Sequence, residues 1–342
     1  MAASRLRPYL GTIVGGAAFG LAVGFGGSHL AAQRQQAAPP AATLPHDLVR
    51  LGDTTAARYQ PADRPADRPA EPAAEPAADA ATDSGRLARW RKRWAQADAS
   101  DLGKSLGWHL RGPHPLLTAH YEALMQTRND EEQRLVLFPL CGASVDLAYI
   151  ARRGHQVVGV DGVPQALDAL LADYGEEIPS GGALAPDAMR LRVAQPGWVQ
   201  QQAAKMMSTD KRTYTPAPFL FGVQGDFLEF GAEAAAKYGL GSFDAAFDRG
   251  GLVAIAPADR PAYATNLGAL VRPGGKLLLV AVEHEPAFGP PHHLGESEVR
   301  GLLGRDFDVR VVSREDKLPS EPHWRQRGAT SFTEVGYLCT RK

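Results

Sequence analysis

The hydrophobic pattern between residues 134 and 163 predicts a strand, a turn, a helix and a second strand. Residues 135–138 form an apolar run of strand length, and Gly142 follows them in a tight turn. Apolar residues at helical spacing come next, and Gly154 ends that helix. The valines within residues 157–160 then make a second strand, which closes on the acidic side chain of Asp161.

The same alternation continues to the end of the chain. Further strands are predicted at residues 219–223, 243–247, 276–282, 307–312 and 332–340, and further helices at residues 163–174, 259–270 and 295–303. Strands that alternate with helices are typical of a doubly wound parallel sheet. The last two strands have a loop but no helix between them, which predicts one antiparallel strand. We therefore predict an α/β fold with a doubly wound, mostly parallel seven-stranded sheet and an antiparallel C-terminal strand.

The first strand–helix–strand unit also predicts a ligand site. Ligands of open parallel sheets bind at the carboxyl ends of the strands, where a glycine turn lets the ligand approach the backbone. An acidic side chain about 20 residues later accepts hydrogen bonds from the ribose hydroxyls. Gly142 and Asp161 stand 19 positions apart. The turn contains one glycine, followed by Ala143 and Ser144, rather than the glycine-rich pattern that holds a pyrophosphate. This favours S-adenosylmethionine, which has no phosphate, over a dinucleotide.

Charge and cysteine content narrow the possible functions. Residues 1–86 hold eight basic and eight acidic residues, so the remaining 29 basic and 30 acidic residues form a near-neutral domain. Such a domain lacks the basic balance of a nucleic-acid-binding protein. Cys141 and Cys339 are too few for a disulfide framework or a metal site, and no third ligand accompanies His292 and His293. We expect neither a nucleic-acid partner nor a bound metal.

The composition divides the chain into three parts. Residues 33–86 are rich in alanine and proline, which cannot build a core, so we predict a disordered linker. Residues 87–342 suffice for one large α/β domain, in which residues 176–217 are an insertion. A local basic cluster in that insertion, Lys205, Lys211 and Arg212, is interpreted as a solvated loop.

The first 32 residues predict a membrane anchor or a targeting segment. Residues 9–30 carry no Lys, Arg, Asp or Glu, and about 20 apolar residues are enough to span a bilayer. Gly16, Gly20 and Gly24 recur at the spacing that lets membrane helices approach closely. The alternative is a cleaved organelle transit peptide, because no acidic residue precedes Asp47. The pattern favours the anchor; the transit peptide would instead send the protein to a mitochondrion or plastid.

Several stretches of the sequence together resemble the thiopurine S-methyltransferase family. They are LFPLCGASVDLAYIARRGHQVVGVDGV from residue 137, FDAAFDRGGLVAIAPADRPAYA from residue 243 and FGPPHHLGESEVRGLLG from residue 288. An entry segment, residues 89–117, precedes them and begins RWRKRW. The resemblance spans residues 87–342 and implies the Rossmann-like fold of class I methyltransferases. The sequence departs from the family pattern where Trp108 and His109 replace Phe-His, Ala143 replaces a lysine and Asp161 replaces a glutamate.

The resemblance also implies which residues bind the cofactor. Leu140 and Gly142 would lie against its methionine part, and Asp161 would bind its ribose. Gly225 and Asp226 would face its adenine. The entry segment would fold over the bound cofactor, with Trp94 as the tryptophan that belongs to the core. The full set implied for the cofactor is Trp90, Trp108, Leu140, Gly142, Asp161, Gly225, Asp226 and Arg249.

The acceptor side of the site is implied in the same way. Arg249 is the catalytic candidate, because its guanidinium could orient the acceptor or favour an anionic sulfur. The alternative is that Asp248 and Arg249 form an ion pair that anchors a helix. The residues implied to line the acceptor pocket are Trp108, Pro290, Pro291 and His292.

Together these features predict an S-methyltransferase that moves the methyl group of S-adenosylmethionine to a small thiol or thiopurine-like acceptor by in-line displacement. Two alternatives stay open. One is a methyltransferase acting on halide, thiocyanate, or selenium or tellurium species. The other is a membrane-tethered protein that binds S-adenosylmethionine without catalysis. We expect the catalytic domain to be monomeric.

Overall fold

The computed structural model describes residues 83–126, 133–174, 176–178, 190–195 and 220–342. The hydrophobic segment, the linker up to residue 82 and most of the insertion lie outside the described residues. The first described helix begins at Asp83, so the last four residues assigned to the linker are helical. Within the described part of the chain, no helix is both long enough and apolar enough to cross a membrane.

One sheet of nine strands organises the described residues. The strand order is β3-β4-β5-β2-β1-β6-β7-β9-β8. Strands β5, β2, β1, β6 and β7 are parallel to one another, and β9 lies antiparallel between β7 and β8. The strands are β1 Leu135–Pro139, β2 Gln156–Asp161, β3 Glu176–Ile178, β4 Arg190–Gln195, β5 Leu220–Gln224, β6 Phe243–Arg249, β7 Val271–Glu285, β8 Phe307–Asp316 and β9 Ser331–Arg341.

Helices cover both faces of this sheet. Val136 and Leu137 in β1, and Val157 and Val158 in β2, are fully buried, and consecutive buried residues in a strand require cover on both sides. Local signals set the helix starts: the Ser144 hydroxyl accepts a hydrogen bond from Asp146 N, and Pro164 opens a helix. The helices are α1 Asp83–Ala95, α2 Leu102–Ser105, α3 Pro115–Ala119, α4 Tyr121–Met125, α5 Val145–Ala151, α6 Pro164–Tyr174, α7 Ala232–Lys237, α8 Arg260–Leu270, α9 Glu296–Leu303 and α10 His323–Gln326.

The predicted fold class is confirmed. All seven predicted strands are present near their predicted positions, and the C-terminal strand is antiparallel as expected. The two additional strands, β3 and β4, lie within the insertion and extend the sheet past β5 in antiparallel order. Their pairing depends on the neighbouring edge of β5, which the local hydrophobic pattern does not reveal.

Candidate active site

The turn after β1 and the end of β2 are joined by Asp161. Its Oδ2 accepts a hydrogen bond from Gly142 N at 2.9 Å, and its Oδ1 accepts one from Val163 N at 2.8 Å. Gly142 has φ of +54° and Leu140 has φ of +44°, so the turn uses left-handed backbone at two positions. The predicted glycine and acid therefore meet at the carboxyl edge of the sheet.

The Asp161 carboxylate can accept hydrogen bonds from ribose hydroxyls. Burial raises the pKa of its carboxyl to about 6, although the hydrogen bonds from Val163 N and Gly142 N act in the opposite direction. A carboxylate has about four acceptor positions, so two backbone donors leave room for further hydroxyl donors. The carboxylate thus fits a cofactor that carries a ribose.

Helix α1 lies over the turn and the adjacent strand end. A Cβ atom at Gly162 would come within 2.5 Å of Leu87, and one at Gly142 within 3.5 Å of a ring carbon of Trp94. Glycine at residue 162 is therefore needed for the close approach of α1. Trp94 is buried in the core, as predicted.

An ion pair holds the start of α1 against the loop that follows β5, the strand beside β2. Arg86 donates from Nε and Nη2 to Asp226 Oδ2, at 3.1 and 3.0 Å. Asp226 Oδ1 accepts from Leu228 N at 2.9 Å, and Gly225 N donates to the carbonyl of Asp161 at 3.0 Å. The two residues predicted to face adenine therefore lie beside Asp161. Arg86 was missed because the predicted domain boundary fell one residue after it.

The predicted aromatic pair of the entry segment lies together. Trp90 and Trp108 pack edge to face with ring centroids 5.4 Å apart, and the guanidinium of Arg93 lies 4.4 Å from the centre of the Trp108 ring. The structure therefore brings Trp90 and Trp108 into contact, and their role in binding the cofactor stays a prediction.

Asp248 and Arg249 have different partners at the end of β6. Asp248 is fully buried; it accepts from the Tyr263 hydroxyl at 2.9 Å and from Gly251 N at 3.0 Å. Burial raises the pKa of its carboxyl to about 6. Arg249 Nη1 donates to the carbonyl of Trp108 at 2.5 Å. Asp248 thus anchors the loop and α8 through Tyr263, while Arg249 connects β6 to the entry segment.

The loop that contains Pro290, Pro291 and His292 is tied to the loop after β6. His292 N donates to the carbonyl of Val253 at 2.6 Å, and Arg327 donates to the carbonyl of Pro290 at 3.2 Å. Burial, with the nearby cations Arg260 and Arg89, lowers the pKa of His292 to about 4. The imidazole is therefore neutral at physiological pH.

Arg260 holds the same loop from beneath. Its side chain is fully buried and donates to the carbonyl of His293 at 3.0 Å and to Glu298 Oε1 at 2.6 Å. Arg260 belongs to the stretch from residue 243 that resembles the family, but the sequence alone indicated no role for it. Across the described residues, no cluster of three or more His, Cys, Asp or Glu side chains is arranged to hold a metal ion.

Comparison with known proteins identifies the family. The family model described as thiopurine S-methyltransferase matches residues 86–342. The chain belongs to this family. As a member of the thiopurine S-methyltransferase family it is an enzyme, with S-adenosylmethionine as methyl donor and sulfur as the methyl-accepting atom.

Similar proteins match most of the chain. A probable thiopurine S-methyltransferase of Danio rerio is 30% identical, over 75% of this chain and 95% of the relative. A thiopurine S-methyltransferase of Nitrosospira multiformis is 26% identical, over 73% of this chain and 95% of the relative. An arsenic(III) S-adenosylmethionine methyltransferase structure from Chlamydomonas reinhardtii is 16% identical, with a TM-score of 0.41, covering 66% of this chain and 74% of that one.

Proposed function

We propose that this thiopurine S-methyltransferase family member methylates a small thiol or thiopurine-like acceptor by in-line displacement. The observation that carries the proposal is the position of Arg249 and Asp161. The strand registers bring both to the carboxyl edge of the sheet, on either side of the turn after β1. A ribose-binding acid on one side of the turn and a cation on the other side suit a cofactor and an anionic acceptor placed face to face.

The proposed roles follow from these positions. When bound, S-adenosylmethionine supplies a methyl group on a cationic sulfonium, so transfer needs alignment more than acid or base catalysis. Asp161 accepts hydrogen bonds from the ribose hydroxyls. Arg249 attracts the acceptor in its thiolate form and keeps it in line, because a guanidinium stays charged at all relevant pH values. Helix α1, through Leu87 and Trp94, keeps water from the strand ends.

The loop at Pro290, Pro291 and His292 is proposed to line the acceptor pocket together with Trp108. Two prolines and a neutral imidazole present mainly apolar surface, and the ties to Val253 and Arg327 limit the movement of the loop. Such a wall suits a small aromatic or aliphatic thiol whose charge is confined to sulfur.

Two alternative functions would use some of the same residues. A halide, thiocyanate or selenium or tellurium species is also a soft nucleophile that a cation could orient. A protein that binds S-adenosylmethionine without catalysis would need Asp161 but not Arg249. The joint presence of Asp161, Arg249 and the loop at Pro290 favours an enzyme over a protein that binds without catalysis, and membership of the thiopurine S-methyltransferase family favours a sulfur acceptor.

A screen with methyl-labelled S-adenosylmethionine tests the proposal. The wild-type domain is offered thiols, thiopurines, halide, thiocyanate and selenite, and the Asp161→Asn variant serves as a control with impaired cofactor binding. We expect label on thiols or thiopurines. Transfer only to halide or selenium species would support the first alternative, and cofactor binding with no transfer to any acceptor would support the second.

Cofactor affinity should rise as pH rises through about 6. Ribose hydroxyls donate to ionised Asp161, whose pKa is raised to about 6, so protonation of Asp161 competes with binding. We expect the affinity for S-adenosylhomocysteine to fall by up to about tenfold per pH unit below 6 and to level off above it. Calorimetric titrations from pH 5 to 8 measure this dependence. Asp161→Asn should remove it, and a flat wild-type profile would contradict this role for Asp161.

We propose that residues 9–30 anchor the enzyme to a membrane, with a mitochondrial or plastid transit peptide as the alternative. The support comes from the uncharged apolar run, its glycine spacing, and Arg5 and Arg7 before it, which favour a cytoplasmic N-terminus. The linker to residue 82 is proposed to be a disordered tether.

Removal of residues 1–82 should leave a soluble, monomeric domain that binds the cofactor, because α1 begins at Asp83 and keeps the Arg86–Asp226 ion pair. Sedimentation and calorimetric titration measure both properties.

Residues 1–82 fused to a fluorescent reporter should stay in a carbonate-washed membrane pellet if they form an anchor. A shortened soluble product inside an organelle would indicate a transit peptide, and a full-length cytosolic reporter would contradict both interpretations.

A further inference from the structure

Glu334 on β9 forms a mostly buried polar cluster with His114 and Lys317. Its carboxylate lies 3.3 Å from His114 Nε2 and 3.3 Å from Lys317 Nζ, and its side chain is 14% exposed. Lys317 Nζ also forms an ion pair with Glu315 Oε2 at 2.7 Å. The side chain of Glu315 is 57% exposed. The pattern of apolar residues indicated only that Glu334 lies in a strand.

The sheet register brings Glu334 and Arg249 to one face. Arg249 pairs with Val280 across β6 and β7, Val280 pairs with Gly336 across β7 and β9, and Glu334 is two residues before Gly336. Paired residues, and residues two apart along a strand, point to the same side of a sheet. The long Arg249 side chain and the Glu334 carboxylate therefore share the face that carries the entry segment.

The carboxylate of Glu334 is ionised at neutral pH. Burial, the largest single influence, acts to raise its pKa, but the hydrogen bond and electrostatic interaction with His114, together with the charges of Lys317 and Arg249, lower it to about 2. Protonation would occur only near that value. The charge is therefore present over the whole range in which the enzyme can be assayed.

His114 connects this carboxylate to the entry segment. Its Nδ1 accepts a hydrogen bond from Leu116 N at 3.2 Å, so the ring proton lies on Nε2 and is donated to Glu334. The backbone N of His114 donates to Asp146 Oδ1 at 2.7 Å. Residues 108–114 are thus fixed at one end by Arg249, through the Trp108 carbonyl, and at the other end by Glu334.

We propose that Glu334 is a positioning residue, which holds the guanidinium of Arg249 and the segment 108–114 in the geometry that methyl transfer requires. The inference rests on the proposed role of Arg249. Glu334 acts through Arg249 and His114 and does not itself touch the acceptor.

The test compares Glu334→Gln with Glu315→Gln, which removes the other carboxylate on Lys317. Loss of the Glu334 charge should lower kcat for thiol methylation by about tenfold or more, the scale of one hydrogen bond to a charged group. The Kd for S-adenosylhomocysteine should not change. Glu315→Gln should leave both values unchanged. In an Arg249→Lys background, Glu334→Gln should lower kcat far less, because the effects of substitutions at coupled residues do not add. Equal losses in the two backgrounds, or an unchanged kcat, would overturn the proposal.

Amide hydrogen exchange provides a readout that does not depend on activity. Glu334→Gln should increase exchange in residues 108–114 of the full chain, and Glu315→Gln should not. If the wild type methylates no thiol, the proposed acceptor is wrong, and exchange alone decides whether Glu334 positions this segment. If Glu334→Gln does not fold, Glu334→Asp, which withdraws the charge by one methylene, is compared with Glu315→Asp. An unchanged kcat and unchanged exchange in Glu334→Asp would then overturn the proposal.

Discussion

Replacement of Asp161 by alanine should weaken binding of S-adenosylhomocysteine by roughly 1.5–3 kcal/mol, the range for lost hydrogen bonds to a charged acceptor. This corresponds to roughly a 10- to 150-fold increase in Kd. The expectation follows from the position of the carboxylate at the end of β2, where ribose hydroxyls would add to the donors Gly142 N and Val163 N. Titration calorimetry at pH 8, well above the pKa of about 6, measures the full effect.

The alanine variant also leaves two backbone N–H groups without their acceptor, so a control is needed. Asp146→Ala provides it, because Asp146 is likewise buried and accepts from His114 N and the Ser144 hydroxyl. We expect both variants to lower the free energy of unfolding, but only Asp161→Ala to weaken cofactor binding at a temperature where both are folded. Equal Kd values for Asp161→Ala and the wild type would remove Asp161 from the ribose site.

Replacement of Arg249 by lysine should lower kcat by about tenfold or more, with little change in the Kd of the cofactor. Lysine keeps the positive charge but loses the planar fork that donates to the Trp108 carbonyl while it faces the acceptor. Single-turnover rates with a thiol, measured beside cofactor titrations, separate the two effects.

Arg272→Lys is a matched control for this prediction. Arg272 lies at the opposite end of the sheet, where its Nε donates to Asp244 Oδ1 at 2.7 Å. That substitution should leave kcat unchanged. If Arg249→Lys turns over a thiol at the wild-type rate with normal cofactor binding, then Arg249 is structural and the roles of Arg249 and Glu334 in positioning the acceptor are both wrong.

Much of the fold could be predicted from short stretches of sequence. The apolar runs that became β1 and β2 are read in windows of a few residues, and Gly142 and Gly154 mark the turns between them. Because β2 ends at Asp161, the strand prediction alone places this acid at the carboxyl edge of the sheet. Strands β3 and β4 could not be predicted in this way, because a short strand at a sheet edge is defined by its partner.

In the candidate site, too, the residues of one local unit could be predicted and the contacts between distant residues could not. Asp161 and Gly142 were predictable because they belong to one strand–helix–strand unit. The residues that act over long separations were not: Arg86 meets Asp226 across 140 positions, and His114 meets Glu334 across 220. The pattern around Arg249 likewise left open whether it pairs with Asp248. The observed partners, Tyr263 for Asp248 and the Trp108 carbonyl for Arg249, come from other elements.

The sequence by itself determined the order of strands and helices along the chain, and it placed Asp161 at the carboxyl edge of the sheet, where a ligand site is predicted. Hydrophobic periodicity and turn residues encode these features locally, and no distant part of the chain can move them. Only the tertiary structure decided that α1 covers the turn at Gly142 and that Glu334 shares a face of the sheet with Arg249. Those contacts depend on strand register and on the packing of elements far apart in the chain, and a shift of one residue in register would turn each side chain to the other face of the sheet.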